Sequence, residues 1–337
     1  MRRTGGLPMH LYGYSDQALI EINVLVTAGD GGALMALVIT TCTNRKRKPI
    51  SSALHISDLS AAPLFAVATS WCERLSAASE RFPASAIYGG RAFQEAAAAA
   101  REMGGRLLVV SAGLGLVDAS CKVPPYACTV LVGAGDSVAD RVTNSFNIQA
   151  WWNALRSASP FAAPLADFVA GDDGPILAAL SDAYLSMIAD EMIALPPAVL
   201  SRLRIFTRTP ANRIVESLHP LVMPYDDRLD GPDSGLRGTR SDFASRALRH
   251  FVALDHGGSA ADDAQAVEAA LAGWRMPPKF DRARHDDLEL LSMIRRHWDA
   301  AHGSSSKLLR FFRDELGVAC EQSRFAALAR QVRGERS

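Results

Sequence analysis

The sequence predicts an α/β protein: a Rossmann-like three-layer domain on a parallel sheet, followed by a mainly α-helical C-terminal region. Three observations predict it. The runs Ala36–Thr41 and Arg106–Ser111 are strand-length and rich in β-branched and aliphatic residues, as strands covered on both faces must be. Helical segments separate them, giving the alternation that a parallel sheet with right-handed crossovers requires. Residues 165–337 read as mainly helical, with a lone strand candidate at Leu203–Thr207, a loop-like stretch at Pro220–Asp242 and a helical pattern from Ser241 onward.

Bulk properties narrow the classes further. A chain of 337 residues suggests two domains, and 48% hydrophobic with 21% charged residues is ordinary globular composition. The formal net charge is zero, so any nucleic-acid contact has to be local. The five cysteines (Cys42, Cys72, Cys121, Cys128 and Cys320) form no CxxC pair and are odd in number. A disulfide framework or zinc ribbon is therefore not expected; no metal site is assigned, and a reducing cytoplasm is the expected compartment. No apolar stretch reaches the roughly 18 residues that span a bilayer, so no membrane partner is expected. A secretory peptide is not expected, because Ile20–Ala28 is interrupted by Glu21 and Asn23 and lacks a cleavage signal; residues 1–34 read instead as a poorly packed N-terminal extension. The folded unit is expected to begin at Met35, after the Gly29-Asp30-Gly31-Gly32 break.

The elements follow in order. Ala36–Thr41 is the first strand; Leu59–Arg81 is a long amphipathic helix interrupted near Pro63. Ser85–Tyr88 is a short strand candidate ending at Gly89-Gly90. Arg91–Met103 is Ala-rich, with high helix propensity, and stops at Gly104-Gly105. Arg106–Ser111 is the next strand. Thr129–Val132 is a further candidate, with Asp136 and Ser137 as caps for a helix. Trp151 and Trp152 lie on the helix after that, as core contacts of an α/β domain at 35–156. The Ser, Ala and Pro-rich stretch Ser157–Pro164 is the boundary, and 165–337 is the helical region.

The chemistry-bearing residues cluster after the strands. Cys42 follows the first strand beside Thr43, Asn44, Arg45, Lys46, Arg47 and Lys48. A thiol among cations can serve as a nucleophile; it can equally be a small buried residue at a strand end. The basic run can hold phosphate or be a solvated loop. Ser111-Ala112-Gly113-Leu114-Gly115 allows close backbone approach to a ligand, because glycine has no Cβ. It lacks the third glycine of a dinucleotide fingerprint. Tyr88-Gly89-Gly90 ends another strand candidate, and Tyr126 after Pro124-Pro125 offers a ring for stacking on a base or a packed cover.

In combination these stretches resemble a bacterial domain of unknown function. That domain carries a Cys and Lys after its first strand, a Tyr-x-Gly/Ser-x-x-Phe step, a Ser-Ala-x-x-Gly-Leu strand end and a Pro-Tyr turn. The matching segments here are Cys42 with its basic run, Ile87–Phe93, Val110–Val117 and Val123–Tyr126 with Thr129. The pattern is distantly similar to the base-handling domain of archaeosine synthase, whose fold is similar to that of uracil-DNA glycosylases. It covers about residues 36–155. Gly113 stands where that family often has Lys, and Ala127 where it has Asp after the tyrosine. The resemblance implies a nucleobase or nucleotide site involving Cys42, Lys46, Ser111 and Tyr126, and no particular reaction.

The C-terminal half adds three signals. Asp226, Asp227 and Asp230 form an acidic turn that is either a hard-cation site or solvated. Arg246, Arg249 and His250 line one helix, as an interface face. Residues 306–332 have the outline of a helix-turn-helix, with Arg310, Arg313, Arg324 and Arg330 available for DNA or RNA phosphates; a packed helical hairpin is the alternative. Two functions fit: an enzyme working on the glycosyl bond or base of a nucleotide, in nucleic-acid modification or phage defence, with Cys42 and Ser111 as catalytic candidates; or a nucleotide sensor or DNA-binding adaptor without catalysis. The cofactor is not specified by any motif.

Overall fold

The computed structural model describes residues 35–254, 257–278 and 281–336; the expected N-terminal extension lies outside the described residues. Five strands form the main sheet: β1 (Leu37–Thr41), β2 (Arg106–Ser111), β3 (Gly115–Asp118), β4 (Ile176–Ala179) and β5 (Leu203–Phe206), in the order β3-β2-β1-β4-β5. β1 lies at the centre, with Val38 level with Leu107 of β2 and Leu177 of β4. All neighbours run parallel except β3, which folds back antiparallel on β2. From β1 the chain builds outward to one edge, then returns to build the other side. The direction of winding thus reverses between β1 and β4, the place where an open α/β sheet leaves a crevice at its strand carboxyl ends.

Helices cover both faces. On one face Leu37 and Ile39 pack with Trp71 of α1 (Leu64–Ala77), Trp151 and Leu155 of α3 (Ile148–Ala158), and Ile188 of α4 (Asp182–Ile193); α2 (Arg91–Glu102) covers the other face. There Val38, Leu177 and Phe206 meet Ala96 and Ala99 of α2, Phe251 of α5 (Phe243–Val252) and Leu271 of α6 (Ala260–Leu271). The alanines of α2 let α5 approach closely, and Arg249 on α5 pairs with Glu95 and Glu102 across that contact. A separate core, built on Leu290, Phe312, Phe325 and Val332, joins α7 (Asp287–His297), α8 (Ser305–Asp314) and α9 (Gln322–Glu335). Helix starts follow local chemistry: Asn147 caps α3, and reciprocal capping boxes open α6 (Ser259/Asp262) and α7 (Asp286/Glu289). Among the described residues no helix is long and apolar enough to cross a membrane.

Several expectations change. The strand expected at Ser85–Tyr88 is a helical turn, Ala84–Ile87, followed by a single bridge from Tyr88 to Lys46. The long helix from Leu59 shortens to α1, because Pro63 sets its start and 56–58 is a 3-10 turn. Thr129 makes only an isolated bridge to Ser137, which caps nothing with its side chain; Asp136 instead takes a positive φ and bonds Ser57 and His55. The Ser157–Pro164 stretch does not bound the sheet, since β4 and β5 come from beyond it. Finally, 306–332 is not a helix-turn-helix: α8 and α9 are separated by residues 315–321, which turn through a left-handed Gly317 into a short strand, Val318–Ala319, paired with Ala283–Arg284, where a helix-turn-helix uses a turn of about 3–4 residues.

Candidate functional site

The strand ladder of β1 continues through Cys42, whose N–H donates to Val110 O of β2 at 2.9 Å. The chain then turns and runs antiparallel to 87–89, with Arg47 N donating to Ile87 O and Gly89 N to Arg45 O, each at 2.8 Å. Extended backbone alternates its side chains. Lys46 therefore turns inward with its bridge partner Tyr88, while Arg45 and Arg47 are exposed. Thr43 Oγ1 closes the corner by donating to Gly89 O at 2.7 Å. The stretches at Thr41, Tyr88 and Ser111, which the sequence suggests meet on one rim around a pocket, lie side by side, but the space between them is filled by the buried side chains of Tyr88, Ser111, Tyr126 and Trp71.

Inside that corner is a dense polar cluster. The Lys46 ammonium lies 4.7 Å from the Tyr126 ring centroid and 5.1 Å from that of Tyr88, and it donates to Thr43 O. Two ring faces and a carbonyl satisfy a cation that has given up much of its water. Burial pulls the Lys46 pKa below the ordinary lysine range, against an opposing pull from the Cys42 and Cys128 thiols. Burial raises the pKa values of Tyr88, Tyr126, Tyr184 and Cys128, so these groups remain neutral at physiological pH.

Proton positions follow from counting lone pairs. Ser111 Oγ accepts from Gly113 N at 3.3 Å and Leu114 N at 3.0 Å, which uses both its acceptor sites. Its own proton must then go to Tyr126 OH, 2.5 Å away, and Tyr126 OH donates onward to Tyr88 OH at 3.0 Å. Ser111 is consequently a fastening for the β2–β3 turn, not the free hydroxyl a nucleophile needs. Cys42 Sγ lies 3.2 Å from Tyr184 OH on α4 and accepts from Ala112 N at 3.5 Å.

The glycines and Tyr126 also take different roles from those expected. Tyr126 is fully buried and meets Trp71 edge-on with ring centroids 6.2 Å apart, so no ring face is open to stack on a base. A Cβ on Gly113 would lie 2.6 Å from Tyr126 Cε2, and one on Gly115 (φ +86°) would lie 2.6 Å from Ala162 Cβ. Both glycines serve a tight, packed hairpin in place of a ligand loop. Gly89 packs on the backbone of Arg45, Gly90 precedes α2, and Asn44 faces solvent.

The remaining candidates are held in other interactions. Asp226, Asp227 and Asp230 pair with Arg228, Arg208 and Arg246 respectively. In the C-terminal helices Arg313 donates to Cys320 O and Arg324 pairs with Asp287, whereas Arg310 and Arg330 are exposed. All five cysteines are free thiols, and among the described residues no group of three or more His, Cys, Asp or Glu is placed to hold a metal ion. Sequence reasoning missed Tyr184 and Cys128. Tyr184 follows β4, whose four residues carry too short a pattern to announce a strand. Comparisons with protein-family models, curated proteins and solved structures find no match.

Proposed function

We propose that the chain is a nucleobase- or nucleotide-handling enzyme with a Rossmann-like core, and that Lys46 with Cys42 forms its reactive centre. One observation carries the reading: an amine whose proton affinity is lowered by burial lies against two tyrosine rings, beside a thiol, at the carboxyl end of the central strand. A lysine more readily deprotonated than usual is better suited than an ordinary one to act as general base or nucleophile. In glycosyl-bond chemistry it would take a proton from the attacking water as the C–N bond breaks and the base leaves; in base modification the neutral amine would add to an electrophilic ring carbon, breaking that carbon's π bond, with the electron pair and the amine's proton passing to the adjacent ring atom. The resemblance to base-handling domains supports the nucleobase, and with it a place in nucleic-acid modification or phage defence.

The second reading, a sensor that binds without turnover, is favoured by the complete burial of Tyr88, Ser111 and Tyr126. Either reading requires the 43–48 corner to move aside, since the cluster is covered. A thermal-shift panel of nucleobases, nucleosides, nucleotides and short DNA and RNA, followed by chromatography, separates the two. Release or alteration of a base is expected for the enzyme, and stabilisation without change for the sensor. Lys46→Met and Cys42→Ala are expected to abolish the response by at least 10-fold; unchanged responses in both variants refute this centre.

A further inference from the structure

The crevice where the sheet reverses its winding is a cavity of about 250 Å³, separate from the cluster around Lys46. It lies over the opposite face of the sheet, walled by Ala92 of α2, Ala179 at the end of β4, and Phe243 of α5. Its polar wall comes from two places. One is the start of α4, where Ser181 makes no side-chain cap and Asp182 opens the first turn. The other is a set of arginines from the segments after β5 and before α5: Arg208, Arg213 and Arg240.

The internal partners are incomplete. Arg213 bonds Asp182 Oδ2 at 2.6 Å, but Asp182 Oδ1 is buried with no hydrogen-bond partner. Arg208 is held by Asp227 and lies 4.9 Å over the Phe243 ring. The Arg240 side chain is exposed and has no ion pair or hydrogen bond among the described residues. Buried polar atoms in native proteins are normally satisfied. Here an unpaired carboxylate oxygen shares the cavity wall with the Arg240 guanidinium and the positive end of a 12-residue helix.

That combination selects a ligand with an anionic group at one end and hydroxyl donors at the other. We infer that the cavity binds a phosphorylated pentose, free or within a nucleoside monophosphate, with its phosphate on Arg240 and the amino end of α4 and a sugar hydroxyl donating to Asp182 Oδ1. The volume fits: it falls below the ~300–1,000 Å³ of drug-sized pockets and suits one sugar phosphate better than a dinucleotide. The inference does not depend on the chemistry assigned to Lys46, because its residues and its face of the sheet are different.

Calorimetric titration of the full chain at low salt tests it, using AMP, ribose 5-phosphate, adenosine, ribose and inorganic phosphate as probes. AMP, ribose 5-phosphate or both are expected to bind at least 10-fold more tightly than adenosine and ribose. AMP alone identifies a nucleotide; equal binding of both identifies the sugar phosphate as sufficient. Arg240→Ala, at an exposed position that folding does not need, is expected to weaken binding at least 10-fold. Arg101→Ala, an exposed arginine elsewhere, is expected to leave it within 2-fold. Asp182→Ala is expected to weaken the sugar phosphate more than inorganic phosphate. Equal binding of AMP and adenosine, no binding of either phosphorylated sugar at millimolar concentration, or Arg240→Ala matching the unaltered chain overturns the site.

Discussion

Lys46 shows how one side chain can be read twice. In the sequence it is the second cation of a basic loop, suited to phosphate; in the structure it is the member of the run that points inward. The alternation of extended backbone decides this, placing Arg45 and Arg47 in solvent and the Lys46 ammonium under two rings. Its lowered pKa has a direct consequence for stability. Between the folded and unfolded pKa values the unfolded chain holds a proton that the folded chain lacks, so stability rises with pH through that window. Below the folded value both states are protonated, and the burial penalty is felt in full. Each tenfold change in proton affinity corresponds to about 1.4 kcal/mol. The buried thiols and phenols, whose pKa values are raised, pull the other way as pH rises, so the Lys46 contribution is read as a difference between proteins: Lys46→Met is expected to gain less, or lose more, urea-unfolding free energy than the unaltered chain as pH rises toward the ordinary lysine value. An unaltered slope in that variant would mean that the amine titrates as it does in water.

At the scale of elements, the β2–β3 hairpin organises the site and is secured from outside itself. Three successive carbonyls of its turn accept side-chain donors: Ala112 O from Trp151 Nε1 at 2.9 Å, Gly113 O from Trp71 Nε1 at 2.7 Å, and Leu114 O from Ser159 Oγ at 2.7 Å. These donors come from α3, from α1 and from the segment after α3, so the turn ties two helices to the sheet edge. Trp71→Phe keeps an aromatic ring but removes the indole donor and leaves a void at a fully buried position, so the unpaired carbonyl costs about 1–3 kcal/mol and the void adds to it. Chemical denaturation checks this, and a loss below about 0.5 kcal/mol would show that the carbonyl finds another donor. The hairpin also marks what was legible in sequence. β1, β2 and α2 announce themselves through unbroken apolar runs and an alanine-rich helical pattern. β3 was hidden because Gly-Leu-Gly read as an open loop, when the glycines allow a tight reversal against Tyr126 and Ala162. Ala84–Ile87 misled in the opposite sense: four residues are too few for period alone to separate a strand from one helical turn. Cys42, Lys46, Tyr88, Ser111 and Tyr126 stand out in the sequence while Tyr184 and Cys128 do not, and the burial of the cluster was not readable, because it depends on Trp71, Trp151 and Tyr184 arriving from distant elements.

Over the whole molecule, the described residues carry separate cores, and this sets how the chain should come apart. The two faces of the sheet share β1, β4 and β5, and a buried ion pair between Arg204 of β5 and Asp263 of α6, 2.6 Å apart, ties the last strand to its helix layer. The core of α7, α8 and α9 is distinct from both and is built from a short stretch of chain. Units that small bury a limited share of their surface and are marginally stable. Phe312 is its central ring, fully buried and meeting Phe325 edge-on at 5.2 Å between centroids. Phe312→Ala is expected to cost about 3–5 kcal/mol, more than such a unit can lose and remain folded. Hydrogen exchange should then show amides across 287–332 losing protection while those of β1 and β4 keep theirs. The fluorescence of Trp298, which lines the C-terminal core, should change at a lower denaturant concentration than loss of the sheet. Loss of protection in β1 and β4 to the same degree would show instead that the sheet and the C-terminal helices form one cooperative unit, and that the gap between their apolar clusters carries no thermodynamic weight.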